Sequence, residues 1–196
     1  MSEHYFSQAP QSRHEQRTFE VPYAGRTLRF CTDAGVFSKQ HVDPGSLLLC
    51  RSLPEAMRGA ALDMGCGWGA MSVLTLAANP ALSMTCCDVN QRALALCEEN
   101  LRQNGMQARV LCSDGWAQIE GRFDIVLTNP PIRAGKAVVY GILGGAKEHL
   151  APGGAIYAVI RKQQGAPSAL AFLRETYPSA EVIARGGGYW ILRAGV

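Results

Sequence analysis

The sequence predicts an α/β protein with a doubly wound, mostly parallel sheet of seven strands and a small N-terminal appendage, a β-hairpin plus a helix. Three observations support this prediction. Strand-like and helix-like patterns alternate from Ala60 onward, which is typical of a doubly wound sheet. Residues 123–128 form a largely apolar run, typical of a strand buried on both faces, and two prolines follow it. Glycine occupies every second position of residues 65–69, directly after the first strand of the region in which strands and helices alternate.

The N-terminal third divides into two predicted parts. Residues 1–17 are polar and are predicted to form a flexible arm. Apolar residues alternate on either side of Ala24-Gly25, which predicts a hairpin. Asp43 followed by Pro44 predicts the N-cap and first residue of a helix that ends near Pro54. The predicted organisation is therefore an arm at 1–17, an appendage at 18–54 and a main domain at 55–196.

The main domain contains seven predicted strands, at residues 60–64, 83–88, 108–113, 123–129, 155–160, 180–184 and 189–193. Helices are predicted after the glycine turn, after the N-cap Asn90, over residues 139–150 and after Pro167. The third of these helices contains three glycines, which are poor helix formers. The last two strands are joined by a short glycine turn and must be antiparallel, so one antiparallel strand ends an otherwise parallel sheet.

Composition narrows the functional class. The net charge of +3 permits an acidic partner such as RNA. Seven cysteines form an odd number without a Cys-x-x-Cys pair, which indicates reduced core residues of a cytoplasmic protein and no metal site. No apolar signal region and no run of about 20 apolar residues is present, so no membrane span is predicted.

Acidic residues mark the ends of three predicted strands. The glycine turn also fits a dinucleotide-binding pattern, because Asp88 ends the second strand. However, Asp63 precedes the turn. A carboxylate there would repel a pyrophosphate but could bind the ammonium group of an amino-acid ligand, directly or through water. Asp88 is well placed to bind the two hydroxyls of a ribose, and Asp114 to bind the amino group of an adenine. Gly115 and Trp116 would then flank the adenine ring. The predicted ligand contains a nucleoside and an amino acid, and no phosphate.

Asn129-Pro130-Pro131 follows the central strand at the edge where ligands bind in open α/β sheets. Proline stiffens the chain and restricts the residue before it. The Asn129 side-chain carbonyl and the Pro130 backbone carbonyl are therefore expected to accept hydrogen bonds from the two hydrogens of an exocyclic amine. A strand-terminating corner without chemistry is the alternative.

S-adenosylmethionine has the parts of the predicted ligand, and residues 62–69, 87–90, 113–114 and 129–132 resemble the ordered motifs of class I methyltransferases. Residues 4–7, 35–38 and 133–136, with Asp43 and Gly45, narrow the resemblance to small-domain methyltransferases that act on guanine N2 of small-subunit ribosomal RNA. Members of that family often carry a duplicated N-terminal half, which is absent from this sequence.

The resemblance implies a Rossmann-like methyltransferase fold, S-adenosylmethionine as cofactor and RNA as partner. It implies cofactor-binding roles for Asp63, Gly65, Cys66, Gly67, Gly69, Asp88, Val89, Asp114, Gly115, Trp116 and Asn129. Catalytic roles fall on Asn129, Pro130 and Pro131, and substrate-binding roles on Phe37, Lys39, Ile132, Arg133, Lys136, Arg161 and Lys162. Phe37 is either a core aromatic of the hairpin or the ring that stacks on the target base, and each cation is either solvated or in contact with RNA.

The predicted reaction is direct methyl transfer to an exocyclic amine of RNA, most consistent with guanine N2. None of the four histidines forms a recognisable nucleophile pair with serine or cysteine. Within the class, protein-glutamine and DNA-adenine methyltransferases are alternatives because they use similar Asn-Pro-Pro corners. A nicotinamide-dependent oxidoreductase and a non-catalytic ligand-binding module are the alternatives from other classes.

Overall fold

A computed structural model describes residues 16–33, 36, 38 and 41–196 of the chain. The strands within these ranges are β1 Arg17–Tyr23, β2 Arg26–Thr32, β3 Gly59–Met64, β4 Leu82–Asp88, β5 Arg109–Cys112, β6 Phe123–Thr128, β7 Leu150–Arg161, β8 Ser179–Gly186 and β9 Tyr189–Gly195. The helices are α1 Pro44–Ser52, α2 Ala70–Ala78, α3 Gln91–Gln103, α4 Lys136–His149 and α5 Ala166–Thr176. Short 3-10 helices cover Ile132–Ala134 and Lys162–Gln164.

Seven strands form one sheet in the order β5-β4-β3-β6-β7-β9-β8, and β1 and β2 form a separate hairpin. The pairs among β3, β4, β5, β6 and β7 are parallel, whereas β9 is antiparallel to both neighbours. The predicted fold class is confirmed. The sequence predicted that an antiparallel strand ends the sheet. In the structure the antiparallel strand is β9, and it lies inside the sheet between β7 and β8.

Several predicted boundaries differ from the structure. The arm was predicted to reach residue 17, but β1 already begins at Arg17, and residues 1–15 lie outside the described ranges. β7 begins at Leu150, which was assigned to the preceding helix, instead of Ala155. The pairing with β6 explains this, because Phe123 pairs with Leu150 while Ile125 pairs with Ala155, and the residues between them bulge. β6 ends at Thr128, which leaves Asn129 just beyond the strand.

Apolar side chains cover both faces of the sheet. One core cluster joins the hairpin, α1, α2 and α3 to residues such as Ala61, Ile125 and Leu127. A second cluster joins α4 and α5 to Leu62 and Val126 on the other face. Alternate residues of β3 and β6 thus enter different clusters, as expected for strands buried on both sides. The hairpin and α1 share a continuous core with the sheet.

The hairpin is attached to α3 by two asparagines. The side chain of Asn100 accepts a hydrogen bond from Cys31 N at 2.7 Å and donates to Cys31 O at 2.9 Å. One helical turn later, Asn104 makes the same pair of bonds with Arg29, at 2.9 and 2.7 Å. The two amides pair with alternate residues of β2 as a neighbouring strand would. They therefore satisfy the outer edge of β2 and fix the position of the hairpin.

Candidate active site

A cavity of about 800 Å3 lies at the carboxyl edge of the parallel strands. β3, β4, β5 and β6 all end at this edge, so residues far apart in the sequence meet there. Fourteen residues predicted for the site line the cavity: Gly65, Cys66, Gly67, Asp88, Val89, Asp114, Gly115, Trp116, Asn129, Pro130, Pro131, Ile132, Arg133 and Arg161.

Six predicted site residues are placed differently or are not described. The residues that line the cavity do not include Asp63, Gly69, Lys136 or Lys162. The ammonium of Lys136 sits 4.9 Å from the centre of the Tyr140 ring. Phe37 and Lys39 fall outside the described residues, so their predicted roles remain predictions.

The turn after β3 presents backbone to the cavity. The N–H groups of Gly65 and Cys66 both donate to Cys87 O at 2.9 Å, which ties the turn to the end of β4. Gly67 has a φ of +55° and open space where a side chain would project. Gly69 differs, because a Cβ there would lie 2.7 Å from Cys97 Sγ and 3.2 Å from its Cα. The turn therefore offers an uncovered cradle at its tip and packs tightly against α3 at its end.

Asp63 lies beneath this turn and is fully buried. Its Oδ2 accepts a hydrogen bond of 2.6 Å from Ser72 Oγ. Its Oδ1 is the single buried side-chain oxygen or nitrogen without a hydrogen-bond partner in the described part of the chain. Burial, together with the nearby Cys86, raises the pKa of the Asp63 carboxyl to about 8. A buried polar atom without a hydrogen-bond partner is costly, so this oxygen marks a position where a water or a polar ligand group is expected.

Asp88 is held at the end of β4 by backbone donors. Gly67 N donates to Oδ2 and Asn90 N donates to Oδ1, both at 2.9 Å. Burial raises the pKa of this carboxyl, and the two N–H groups oppose that effect. Each oxygen keeps a further acceptor site for a ligand hydroxyl. The carboxylate is thus preoriented towards the cavity that it lines.

Trp116 forms one wall of the cavity and is fixed against α4. Its Nε1 lies 3.2 Å from the carbonyl oxygens of both Gly141 and Ile142. A Cβ at Gly145 would overlap the indole, and one at Gly144 would lie 3.2 Å from Phe172. The glycines that weaken the prediction of this helix therefore let the tryptophan and α5 approach it closely.

Asn129 is anchored by the N-terminus of α1. Its Nδ2 donates to Ser46 Oγ at 2.9 Å and to Asp43 Oδ2 at 3.3 Å. Asp43 is also the N-cap of α1, and its Oδ2 accepts from Ser46 N at 3.0 Å. No described residue donates to Asn129 Oδ1, so this oxygen remains available as a hydrogen-bond acceptor.

Tyr189 and Arg161 extend this network. The two residues are cross-strand partners, because β7 ends where the antiparallel β9 begins. Arg161 Nη2 donates to the Tyr189 hydroxyl at 2.6 Å, and that hydroxyl donates to Asp43 Oδ1 at 3.2 Å. The guanidinium also lies 4.6 Å from the ring centre.

Asp43, Ser46 and Tyr189 all line the cavity, and the sequence did not predict a role at the site for Ser46 or Tyr189. Asp43 was predicted as an N-cap and as part of a motif, without a contact to Asn129. The available signal was the Asp-Pro-x-Ser start of a helix, which places two polar side chains together at one helix end.

The described residues contain no group of three or more His, Cys, Asp or Glu side chains arranged to hold a metal ion. In the same ranges, no helix is long and apolar enough to cross a membrane.

Curated relatives of the chain include the following two bacterial proteins. It is 39% identical to the uncharacterized protein YbxB of Bacillus subtilis over 198 residues, which is 99% of this chain and 98% of YbxB. It is 36% identical to ribosomal RNA small subunit methyltransferase C of Shewanella halifaxensis over 168 residues. That match covers 84% of this chain but 48% of the relative, so the chain spans about half of the latter protein's length.

Among solved structures, the fold is similar to the 16S rRNA N2 methyltransferase RsmC of T. thermophilus in complex with AdoMet and guanosine. The TM-score is 0.82 at 28% identity, over 95% of this chain and 52% of that one. The family model described as the methyltransferase small domain matches residues 27–193, which is most of the chain. The protein therefore belongs to the methyltransferase small-domain family.

Proposed function

We propose that this protein transfers a methyl group from S-adenosylmethionine to guanine N2 of small-subunit ribosomal RNA. Family membership supports methyl transfer, and the bound AdoMet and guanosine of T. thermophilus RsmC support the cofactor and the base. The observation that carries the proposal is the Asn129 amide, whose nitrogen is engaged by α1 and whose oxygen is left for a ligand.

The residues at the cavity fit the cofactor. The unpartnered Oδ1 of Asp63 suits its ammonium group through a bridging water, and the open tip of the turn at Gly67 leaves room for its amino-acid part. Asp88, already oriented by two backbone donors, suits the ribose hydroxyls. Asp114 and Trp116 line the next stretch of the cavity and suit the adenine. When bound, S-adenosylmethionine supplies an electrophilic methyl group on a sulfonium.

The corner after β6 suits the amine. Asn129 Oδ1 and the Pro130 carbonyl receive no hydrogen bond from any described residue, so both are available for the two amine hydrogens. The Pro131 carbonyl differs, because it accepts from Ala134 N at 2.9 Å and begins the short helix that follows. With both hydrogens held, the amine lone pair is directed at the methyl group. Rate acceleration then comes mainly from orientation and fixed dipoles.

The cavity mouth suits an RNA chain. Arg133 and Arg161 line the cavity and are exposed, Ile132 supplies an apolar contact, and the exposed Lys136 and Lys162 lie close by in the sequence. Positive side chains around a base pocket favour a phosphate backbone that passes the mouth. Guanine N2 lies in the minor groove of a duplex, so the target base is expected to be unpaired or flipped out.

Product identification tests this proposal. The purified protein is incubated with radiolabelled S-adenosylmethionine and, separately, small ribosomal subunits, free ribosomal RNA, duplex DNA or release-factor protein. We expect label in N2-methylguanosine from a ribosomal substrate, and a decrease of about 100-fold in the Asn129→Ala variant. Label only in N6-methyladenine or methylglutamine would contradict the proposed substrate, and each would identify one of the alternatives.

A further inference from the structure

The side chain of Asp43 determines which way the Asn129 amide faces. Asp43 Oδ2 accepts from Asn129 Nδ2 and from Ser46 N, at 3.3 and 3.0 Å. An ionised carboxylate has no proton to donate, so it can bond only to the nitrogen end of the amide. A flipped amide would instead place its oxygen against the carboxylate, where the two acceptors repel each other.

Ser46 alone cannot set this orientation. Its hydroxyl accepts from Asn129 Nδ2 at 2.9 Å, but a hydroxyl can rotate and donate to a carbonyl oxygen equally well. Ser46 therefore tolerates both orientations of the amide, whereas Asp43 tolerates one. With Asp43 removed, the amide is free to turn its NH2 group towards the cavity.

Asp43 is itself oriented from the opposite side. Arg161 can only donate, so its 2.6 Å bond makes the Tyr189 oxygen an acceptor. The single hydroxyl proton of Tyr189 is then free to go to Asp43 Oδ1, 3.2 Å away. The Arg161 guanidinium can only donate hydrogen bonds, and the Asp43 carboxylate can only accept them. The direction of every hydrogen bond from Arg161 through Tyr189 and Asp43 to Asn129 is therefore fixed.

The backbone holds Asp43 close to this network. A Cβ at Gly45 would lie 2.6 Å from the Tyr189 ring, so the absence of a side chain there lets the first turn of α1 rest on the ring. Leu47 N donates to Asp43 O at 2.9 Å and begins the helix. The N-terminus of α1 is thus packed against the start of β9 at the cavity wall.

We propose that Asp43, supported by Tyr189, is the positioning residue that holds the Asn129 amide with Oδ1 towards the target amine. This inference rests on the function proposed above and extends it. An amide in the other orientation would present N–H groups to the hydrogens of the amine, which would prevent the amine from binding with its lone pair towards the methyl group. Asp43 touches neither the reacting atoms nor the cofactor in this role, and it acts through Asn129.

Asp43→Ser separates positioning from helix capping. Serine is also a strong N-cap, so α1 is expected to keep its stability, but its shorter side chain does not span the distances to Asn129 and Tyr189. We expect single-turnover methyl transfer to fall about 10- to 100-fold, on the scale of one lost orienting contact, with cofactor affinity within a few-fold of wild type. Asp43→Ala serves as the comparison that loses the cap as well.

A double-mutant cycle shows whether Asp43 acts through Asn129. In the Asn129→Ala background, Asp43→Ser should lower the transfer rate less than two-fold, because no amide is left to orient. Losses that multiply in the double variant, or an unchanged rate in Asp43→Ser alone, would overturn the inference.

A nuclear magnetic resonance readout keeps this test independent of the proposed function. The side-chain NH2 signals of Asn129, identified by their loss in Asn129→Ala, should exchange slowly with solvent in the wild type and at least ten-fold faster in Asp43→Ser. Equal exchange rates would refute the positioning role. A wild-type protein without methyl transfer to any ribosomal substrate would refute the proposed function, while the exchange rates still decide the role of Asp43.

Discussion

Asp88→Asn is the change whose effect follows most directly from the contacts. The two oxygens of Asp88 accept from Gly67 N and Asn90 N, both at 2.9 Å. An asparagine of the same shape has one oxygen, so its NH2 group must face one of these N–H donors in either orientation. The substitution therefore leaves one partly buried backbone donor without an acceptor.

The expected magnitude has two parts. Loss of a charge-assisted bond and an unpaired N–H cost about 1 to 3 kcal/mol of stability. For a chain of 196 residues, that lowers the melting temperature by about 2 to 12 °C. If Asp88 also binds the ribose, cofactor affinity falls by about 10- to 150-fold, which corresponds to roughly 1.5 to 3 kcal/mol.

Thermal unfolding and calorimetry with S-adenosylmethionine measure the two parts separately. Asp114→Asn is the matched control for stability, because this exposed carboxylate lies just beyond the end of the neighbouring strand β5 and no described backbone N–H donates to its side chain. We expect an unchanged melting temperature for Asp114→Asn. An Asp88→Asn protein as stable as wild type, with full cofactor affinity, would refute the reasoning.

Three further predictions concern the fold around the site. Asn100→Ala leaves the N–H and C=O of Cys31 unpaired, so it should lower the free energy of unfolding by about 2 to 3 kcal/mol in urea titrations. A loss below about 0.5 kcal/mol would show that the Asn100 amide does not anchor the hairpin. Gly69→Ala should destabilise the protein by at least about 1 kcal/mol more than Gly67→Ala, since both positions have positive φ but only Gly69 abuts Cys97, and equal losses in the same titration would contradict this. Burial raises the Asp63 pKa from 3.8 to about 8, so the folded state keeps a proton that the unfolded state releases, and stability should fall as pH rises through that window by up to about 1.4 kcal/mol per pH unit. Asp63→Asn should remove this part of the pH dependence, and an identical pH profile for the two proteins would show that Asp63 is ionised throughout.

Much of the fold, and the convergence of many candidate site residues on one cavity, could be predicted because the informative residues follow the strands directly. In a parallel sheet, the turn at Gly65, Asp88 and Asn129 must lie at the same edge, and the order β4-β3-β6 makes them neighbours there. The family match also decides against the nicotinamide-dependent oxidoreductase that the glycine pattern left open. Local sequence was sufficient for the fold class, whereas the family match was needed to choose between the two kinds of enzyme.

The network behind Asn129 could not be predicted, because it depends on where distant elements pack. Tyr189 reaches the site only because β9 inserts beside β7 and runs antiparallel to it, which brings its first residue next to Arg161. Asp43 was identified as an N-cap, and its position in the fold gives it the second role beside Asn129. Capping signals define where a helix starts, but they do not define what the start of the helix faces.

The most direct test of the account is nucleoside mass spectrometry of small-subunit ribosomal RNA from cells that lack this gene. The account predicts a decrease in N2-methylguanosine that the wild-type gene restores and the Asn129→Ala gene does not. Unchanged N2-methylguanosine in the deletion strain, or full restoration by Asn129→Ala, would contradict the claim that Asn129 orients guanine N2 for methyl transfer.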